Sequence, residues 1–84
     1  MPFFSVIIPL YNKENSIRNT LSSLLAQTFN DFEVIIVNDG STDQSESRAL
    51  EINDARIKLF STENSGVSKA RNYGISKASG TLVA

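Results

Sequence analysis

Val34-Ile35-Ile36-Val37-Asn38-Asp39-Gly40-Ser41-Thr42-Asp43 joins four branched apolar residues to a run of short polar ones, and its reading decides the fold. An apolar run without polar alternation suits a strand covered on both faces, as in the parallel sheet of an α/β layer structure. Asp-Gly between two apolar runs would mark a hairpin. Here the residues after Gly40 stay polar and helix-compatible as far as Asn53, so the chain turns from strand into helix. Asp39 then sits at the carboxyl end of a central strand. In open α/β sheets that edge is where ligands bind.

The flanking sequence supports the same architecture. Phe4 to Pro9 is an apolar run bounded by prolines and reads as a buried first strand, with Ser5 to Ile8 as its interior and Pro9 ending its ladder. Asn12 is placed to cap a helix whose first turn carries Glu14, a favourable position for a negative charge. Ile17, Leu21, Leu24 and Leu25 recur at helical spacing, with Arg18, Asn19, Ser22 and Ser23 on the other face, and the helix is expected to end near Gln27-Thr28. Strand two follows over Glu33 to Val37. Strand, helix and strand make one right-handed parallel βαβ unit.

The second helix is expected to open at Ser41, with Gln44 three residues on at the capping-box spacing, and its apolar content is confined to Ala49, Leu50 and Ile52. Strand three covers Ile57 to Phe60. A polar loop, Ser61 to Gly66, leads into a third helix over Val67 to Ala78, whose buried face is expected to be Val67, Ala70, Gly74, Ile75 and Ala78. Gly80 stops that helix, and Thr81 starts a fourth strand that breaks off at Ala84, as in a fragment of a longer gene. The whole chain, residues 1–84, is therefore one incomplete half-domain of the form βαβαβαβ: α/β, with an open parallel sheet of about four strands and helices packed on it.

Composition narrows the chemistry. The 84 residues suffice for one small domain, which buries only roughly 60 to 65% of its unfolded surface and has a thin stability margin. There is no cysteine to form a disulfide or bind a metal, and no histidine to serve as general base. A formal net charge of -1 gives no reason to expect nucleic acid or an anionic membrane as partner. The apolar amino terminus lacks a basic leader and is too short to span a bilayer.

Several polar or aromatic residues fall at the carboxyl ends of the strands: Pro9-Leu10-Tyr11-Asn12, Asp39-Gly40-Ser41, and Asn64-Ser65-Gly66 leading to Arg71. Tyr11 offers a flat face for a base, Asp39 an acceptor pair for a ring N–H or ribose hydroxyl, and Arg71 a cation for a diphosphate. Each also has a plainer reading. Asp39 can be a turn residue bonding its own backbone, Tyr11 a rim aromatic, Arg71 a solvated helical cation and Glu14 a partner of the helix dipole. Their coincidence at one sheet edge favours a nucleotide site. No Gly-x-Gly-x-x-Gly follows strand one or two, and no Gly-Lys-Ser/Thr phosphate loop occurs. A nucleotidyltransferase would want a Gly-rich basic loop near the first strand, where only Lys13 is present.

Three segments carry a resemblance in order along the chain: Ser5-Val6-Ile7-Ile8-Pro9-Leu10-Tyr11-Asn12, then Gln27 through Asp43, then Asn64-Ser65-Gly66-Val67-Ser68-Lys69-Ala70-Arg71-Asn72. The chain resembles the amino-terminal half of the nucleotide-binding domain of family 2 inverting glycosyltransferases, which have the Rossmann-like GT-A fold. The resemblance implies a sheet of order 3-2-1-4 and a nucleotide-sugar donor, with a UDP-sugar expected. It places Pro9 and Tyr11 in the base pocket, Tyr11 stacking on the base, with Asp39 bonding the base and Arg71 near the phosphates. A full-length enzyme of this kind transfers the sugar with inversion to an acceptor hydroxyl on a glycan or lipid, as in polysaccharide and cell-envelope synthesis. It is cytoplasmic, or sits at the cytoplasmic face of the membrane. It uses Mg2+ or Mn2+ held by an Asp-x-Asp motif after strand four, and a later carboxylate base; neither group is present by Ala84. The resemblance thus implies that the 84-residue chain binds donor without catalysing transfer. A second reading is a non-catalytic module that self-associates through its exposed sheet edge.

Overall fold

The computed structural model describes residues 4–26, 31–52, 54–80 and 82–83. The elements, in order, are β1 (Phe4–Leu10), α1 (Ile17–Leu25), β2 (Phe32–Asp39), α2 (Ser45–Leu50), β3 (Ile57–Thr62), α3 (Val67–Lys77) and β4 (Leu82–Val83). The four strands form one parallel sheet of order β3-β2-β1-β4. The chain walks outward from β1 to β3 and then crosses back to place β4 on the other flank of β1. Right-handed crossovers put α1 and α2 on one face and, once the direction reverses, α3 on the other.

Side-chain alternation along the strands carries this layering. Val34 and Ile36 of β2 join Leu10, Ile17, Leu21, Phe32 and Ala49 in one core, beneath α1 and α2. Ile35 and Val37 point the other way and pack with Ala70, Ile7, Phe60 and Tyr73 beneath α3. Both faces of β2 are therefore covered, and all eight of its residues are buried. The alternation continues past the apolar run. Asn38 turns toward α2, where its Nδ2 donates to Glu46 at 3.1 Å, and Asp39 turns toward the α3 side.

Several expectations are corrected. Asn12 does not cap α1; that helix begins at Ile17 behind Ser16, and Glu14 lies ahead of it, outside the first turn. The expected end of α1 at Gln27-Thr28 lies outside the described residues, as does the expected start of β4 at Thr81. The second helix starts at Ser45, four residues late, because the polar groups from Ser41 to Asp43 are engaged with another loop. β3 runs to Thr62, past Phe60, since Ser61 and Thr62 pair with Asn38 and Asp39. In β1 only Ser5 and Leu10 are fully buried. β4 flanks only Phe4 and Ser5, leaving Val6 to Ile8 half-covered.

α3 is rotated from its expected seating. Its buried residues are Ala70 and Gly74, while Val67 and Ile75 are exposed. The small residues let the helix sit hard on the sheet: a Cβ at Gly74 would lie 2.6 Å from Cγ2 of Ile7 and 3.2 Å from Cγ2 of Val37. Close approach by the two smallest side chains decides the rotation, and the bulkier apolar ones turn outward.

Candidate functional site

At the carboxyl end of the sheet a cleft of about 320 Å3 opens between the loop after β1 and the start of α3. Pro9, Leu10, Tyr11 and Lys13 line it from β1 and its loop, Asp39 from β2, and Asn64, Gly66 and Val67 from the β3–α3 connection. Its size lies at the small end of the range for ligand pockets. The position follows from the topology: at the carboxyl end of the sheet the β1–α1 loop leaves toward one face and the β3–α3 loop toward the other, and the two part to form a crevice.

Asp39 is the buried anchor of this cleft, only 4% exposed. Its Oδ1 accepts the Ser65 N–H at 2.9 Å and the Thr62 hydroxyl at 3.3 Å, and its Oδ2 accepts the Gly66 N–H at 3.0 Å. Gly66 precedes the first residue of α3, so the carboxylate satisfies amide groups at a positively polarised helix start. Asp39 is therefore not a turn residue bonding its own backbone; it ties β2 to the β3–α3 loop. With one amide donor on Oδ2, a second lone pair of that oxygen can still accept from a ligand.

The opposite wall is held by the segment after Gly40. Three successive amides of the β1–α1 loop donate to its side chains: Asn12 to Ser41 Oγ at 3.1 Å, Lys13 to Ser45 Oγ at 2.6 Å and Glu14 to Asp43 Oδ2 at 3.3 Å. In return, the Thr42 N–H donates to Asn12 Oδ1 at 2.8 Å. Asn12 adopts φ 50°, left-handed backbone that asparagine tolerates better than most residues. Burial alone would raise the Asp43 pKa, but the Ser45 hydroxyl and N–H and the Glu14 N–H outweigh it and hold the carboxyl below its ordinary range.

Of the four residues expected at the site, Pro9, Tyr11 and Asp39 meet in this cleft. Tyr11 is 42% exposed, so its ring is open to a ligand. Arg71 does not line the cleft. It is exposed on α3, one helical turn beyond Val67, with no ion pair among the described residues. Lys13, which in the sequence stands out only as the lone basic residue near the first strand, is a cleft residue. Asp43 and Ser45, which fall within the helix expected from Ser41 onward, instead hold the cleft wall, and only their partners about thirty residues away reveal it.

Chemically this is a place to bind, with an aromatic face, a proline, one buried carboxylate and a lysine. Among the described residues no three His, Cys, Asp or Glu side chains come together to hold a metal ion. The described residues therefore do not fit a divalent metal site, and no helix among them is long and apolar enough to cross a membrane.

A parallel α/β sheet of order 3-2-1-4 with its cleft at the carboxyl ends is a Rossmann-like half-domain, and its likeness to solved glycosyltransferases makes it one of the GT-A type. The chain belongs to Glycosyl transferase family 2, which it matches over residues 5–84. It is 45% identical to the uncharacterized glycosyltransferase EpsJ of Bacillus subtilis over 85 residues, covering 99% of this chain and 25% of EpsJ. It is 44% identical to the glycosyltransferase GlyA of Streptococcus pneumoniae serotype 4, covering 94% of this chain and 12% of GlyA. Among solved structures, S. aureus TarS (residues 1–349) superposes with a TM-score of 0.89 at 39% identity, over 99% of this chain and 26% of TarS. The mannosyltransferase PcManGT of Pyrobaculum calidifontis, in complex with GDP-Man and Mn2+, gives 0.88 at 30% identity, over 98% of this chain and 26% of PcManGT. The chain thus spans about a quarter or less of the length of these relatives.

Proposed function

We propose that the cleft binds the nucleotide of a nucleotide-sugar donor, with the base stacked on Tyr11 against Pro9 and its N–H edge directed at Asp39. The observation that carries this reading is the convergence of Pro9, Tyr11 and Asp39 on one cleft from two neighbouring strands. Stacking supplies affinity for any base, and the remaining acceptor capacity of Asp39 favours a base that presents a ring N–H. Uracil does so, and a UDP-sugar is the donor we favour; the guanine of GDP also does so, and the PcManGT structure is a complex with GDP-Man. In this reading Lys13 on the cleft wall and Arg71 on α3, one turn beyond Val67, are the cations assigned to the diphosphate.

In the whole protein the donor sugar would pass to a hydroxyl of a glycan or lipid acceptor with inversion at the transferred carbon. Mg2+ or Mn2+ would be held there by residues outside those described. The cleft's own part is to bind and orient the donor.

Calorimetric titration of UDP and of GDP into the chain tests the binding step. Tyr11→Ala should weaken the nucleotide that binds by about tenfold or more, the effect of losing one base–aromatic stack. Unchanged affinity in that variant would remove Tyr11 from the site.

A further inference from the structure

The polar segment after Gly40 does not touch the cleft, yet it determines where one of its walls lies. The amides of Asn12, Lys13 and Glu14 are all taken by side chains from Ser41 to Ser45, about thirty residues away in sequence. Ser45 is fully buried, with its hydroxyl between two partners. It donates to Asp43 Oδ1 and accepts the Lys13 N–H, so the carboxylate fixes which way that hydroxyl points. Asp43 Oδ1 also accepts the Ser45 N–H at 2.9 Å, and its Oδ2 accepts the Glu14 N–H. One carboxylate thus sets two consecutive amides of the loop, Glu14 directly and Lys13 through Ser45. Tyr11 leaves β1 immediately before them, next to the left-handed Asn12. A backbone in that conformation needs outside support to persist, and the support comes from this segment.

We propose that Asp43, acting through Ser45, is a positioning residue for donor binding: it holds the β1–α1 loop so that Tyr11 presents its ring to the base. The proposal rests on the nucleotide reading of the cleft. Asp43 is absent from the cleft lining, so its effect on affinity must pass through the loop. Among the described residues no cation forms an ion pair with Asp43.

A double-mutant cycle tests this. Asp43→Ala should weaken UDP or GDP binding by about tenfold, the scale of lost hydrogen bonds to a charged group. In a Tyr11→Ala background the same change should cost less than about twofold, because the ring it positions is gone. Equal losses in both backgrounds, or no loss in the first, would overturn the proposal. Should Asp43→Ala fail to fold, Ser45→Ala removes the relay to Lys13 and enters the same cycle with the same expected outcomes. A readout without nucleotide separates the two claims. In nuclear magnetic resonance spectra Asp43→Asn should move the Tyr11 ring signals and the amides of residues 12–14, leaving Ser65 and Gly66 in place. A stationary Tyr11 ring contradicts the positioning role, whereas failure of the wild-type chain to bind either nucleotide contradicts the nucleotide reading while the ring signals still decide on Asp43.

Discussion

Gly40 sits where the two walls of the cleft are tied to β2, and its geometry leaves little choice of residue. Its φ is +70°, in the left-handed region, and a Cβ placed on it would lie 2.9 Å from the Asn64 amide nitrogen. The chain has to turn sharply between Asp39, which serves the β3–α3 loop, and Ser41, which serves the β1–α1 loop. Gly40→Ala meets both the backbone strain and the Asn64 backbone, and we expect a loss of about 1–3 kcal/mol, read from urea denaturation. A variant as stable as the parent would mean that the Asn64 loop moves away freely. Asp39 beside it shows why residue type alone is ambiguous. An aspartate before Gly-Ser suits an Asx turn, a helix start and a ligand group equally. Its direction toward α3 decides, and that direction follows from counting alternation along β2 from Val34.

At the scale of elements, β4 is held at the end of the sheet opposite the cleft. Glu33 lies on the α3 side of β2 at 3% exposure, in a stretch otherwise apolar. Its carboxylate accepts the Ser5 hydroxyl at 2.6 Å, the Lys58 ammonium at 2.8 Å and the Ser79 N–H at 2.7 Å, while Ser5 Oγ accepts the Gly80 N–H at 2.8 Å. These bonds fasten the α3–β4 connection to β1 and β2. Burial alone would raise the Glu33 pKa; Lys58, Ser5 and Ser79 outweigh it and bring it down to about 2. A depressed carboxyl stabilises the fold fully above its unfolded value near 4.5 and loses that contribution as the pH falls through about 2. The loss across this window is about 3 kcal/mol. Urea midpoints measured from pH 5 to pH 2 should fall steeply in the parent and more gently in Glu33→Gln. Asp54, held near pKa 2 mainly by the Arg56 side chain, titrates in the same direction and leaves part of the slope. Parallel pH profiles for parent and variant would contradict this role. The seating of α3 makes a second expectation: Gly74→Ala drives a methyl into Ile7 and Val37 and should cost about 1–3 kcal/mol of thermal or urea stability. No change would show that α3 lifts without penalty.

For the molecule as a whole, the sheet was legible because its signals are local and period-based: the apolar run of β2, the proline-bounded β1 and the helical spacing of α1. The strand order 3-2-1-4 came with the family resemblance, and TarS and PcManGT share the fold. The cleft was legible in outline, since Pro9, Tyr11 and Asp39 follow from where strands end. What the sequence concealed are relations set by distant partners. Ser41 through Ser45 have the spacing of a helix cap, and the loop they bind is about thirty residues earlier. Glu33 reads as one more strand residue until Lys58 and Ser79 are brought beside it. Arg71 matches the resemblance by position, yet the rotation of α3 that places it is fixed by Ala70 and Gly74 against the sheet. A central strand thus organises both ends of the molecule: Glu33 fastens β4 at one end, and Asp39 with the segment after it shapes the cleft at the other. The most direct test of the cleft is a nucleotide titration of the isotopically labelled chain followed by nuclear magnetic resonance. UDP or GDP should shift the amides of residues 11–13, 39–40 and 64–67 together, saturating on one curve. Shifts confined to the polar groove of Glu14, Arg18 and Arg48, or none at these three segments, would contradict the account.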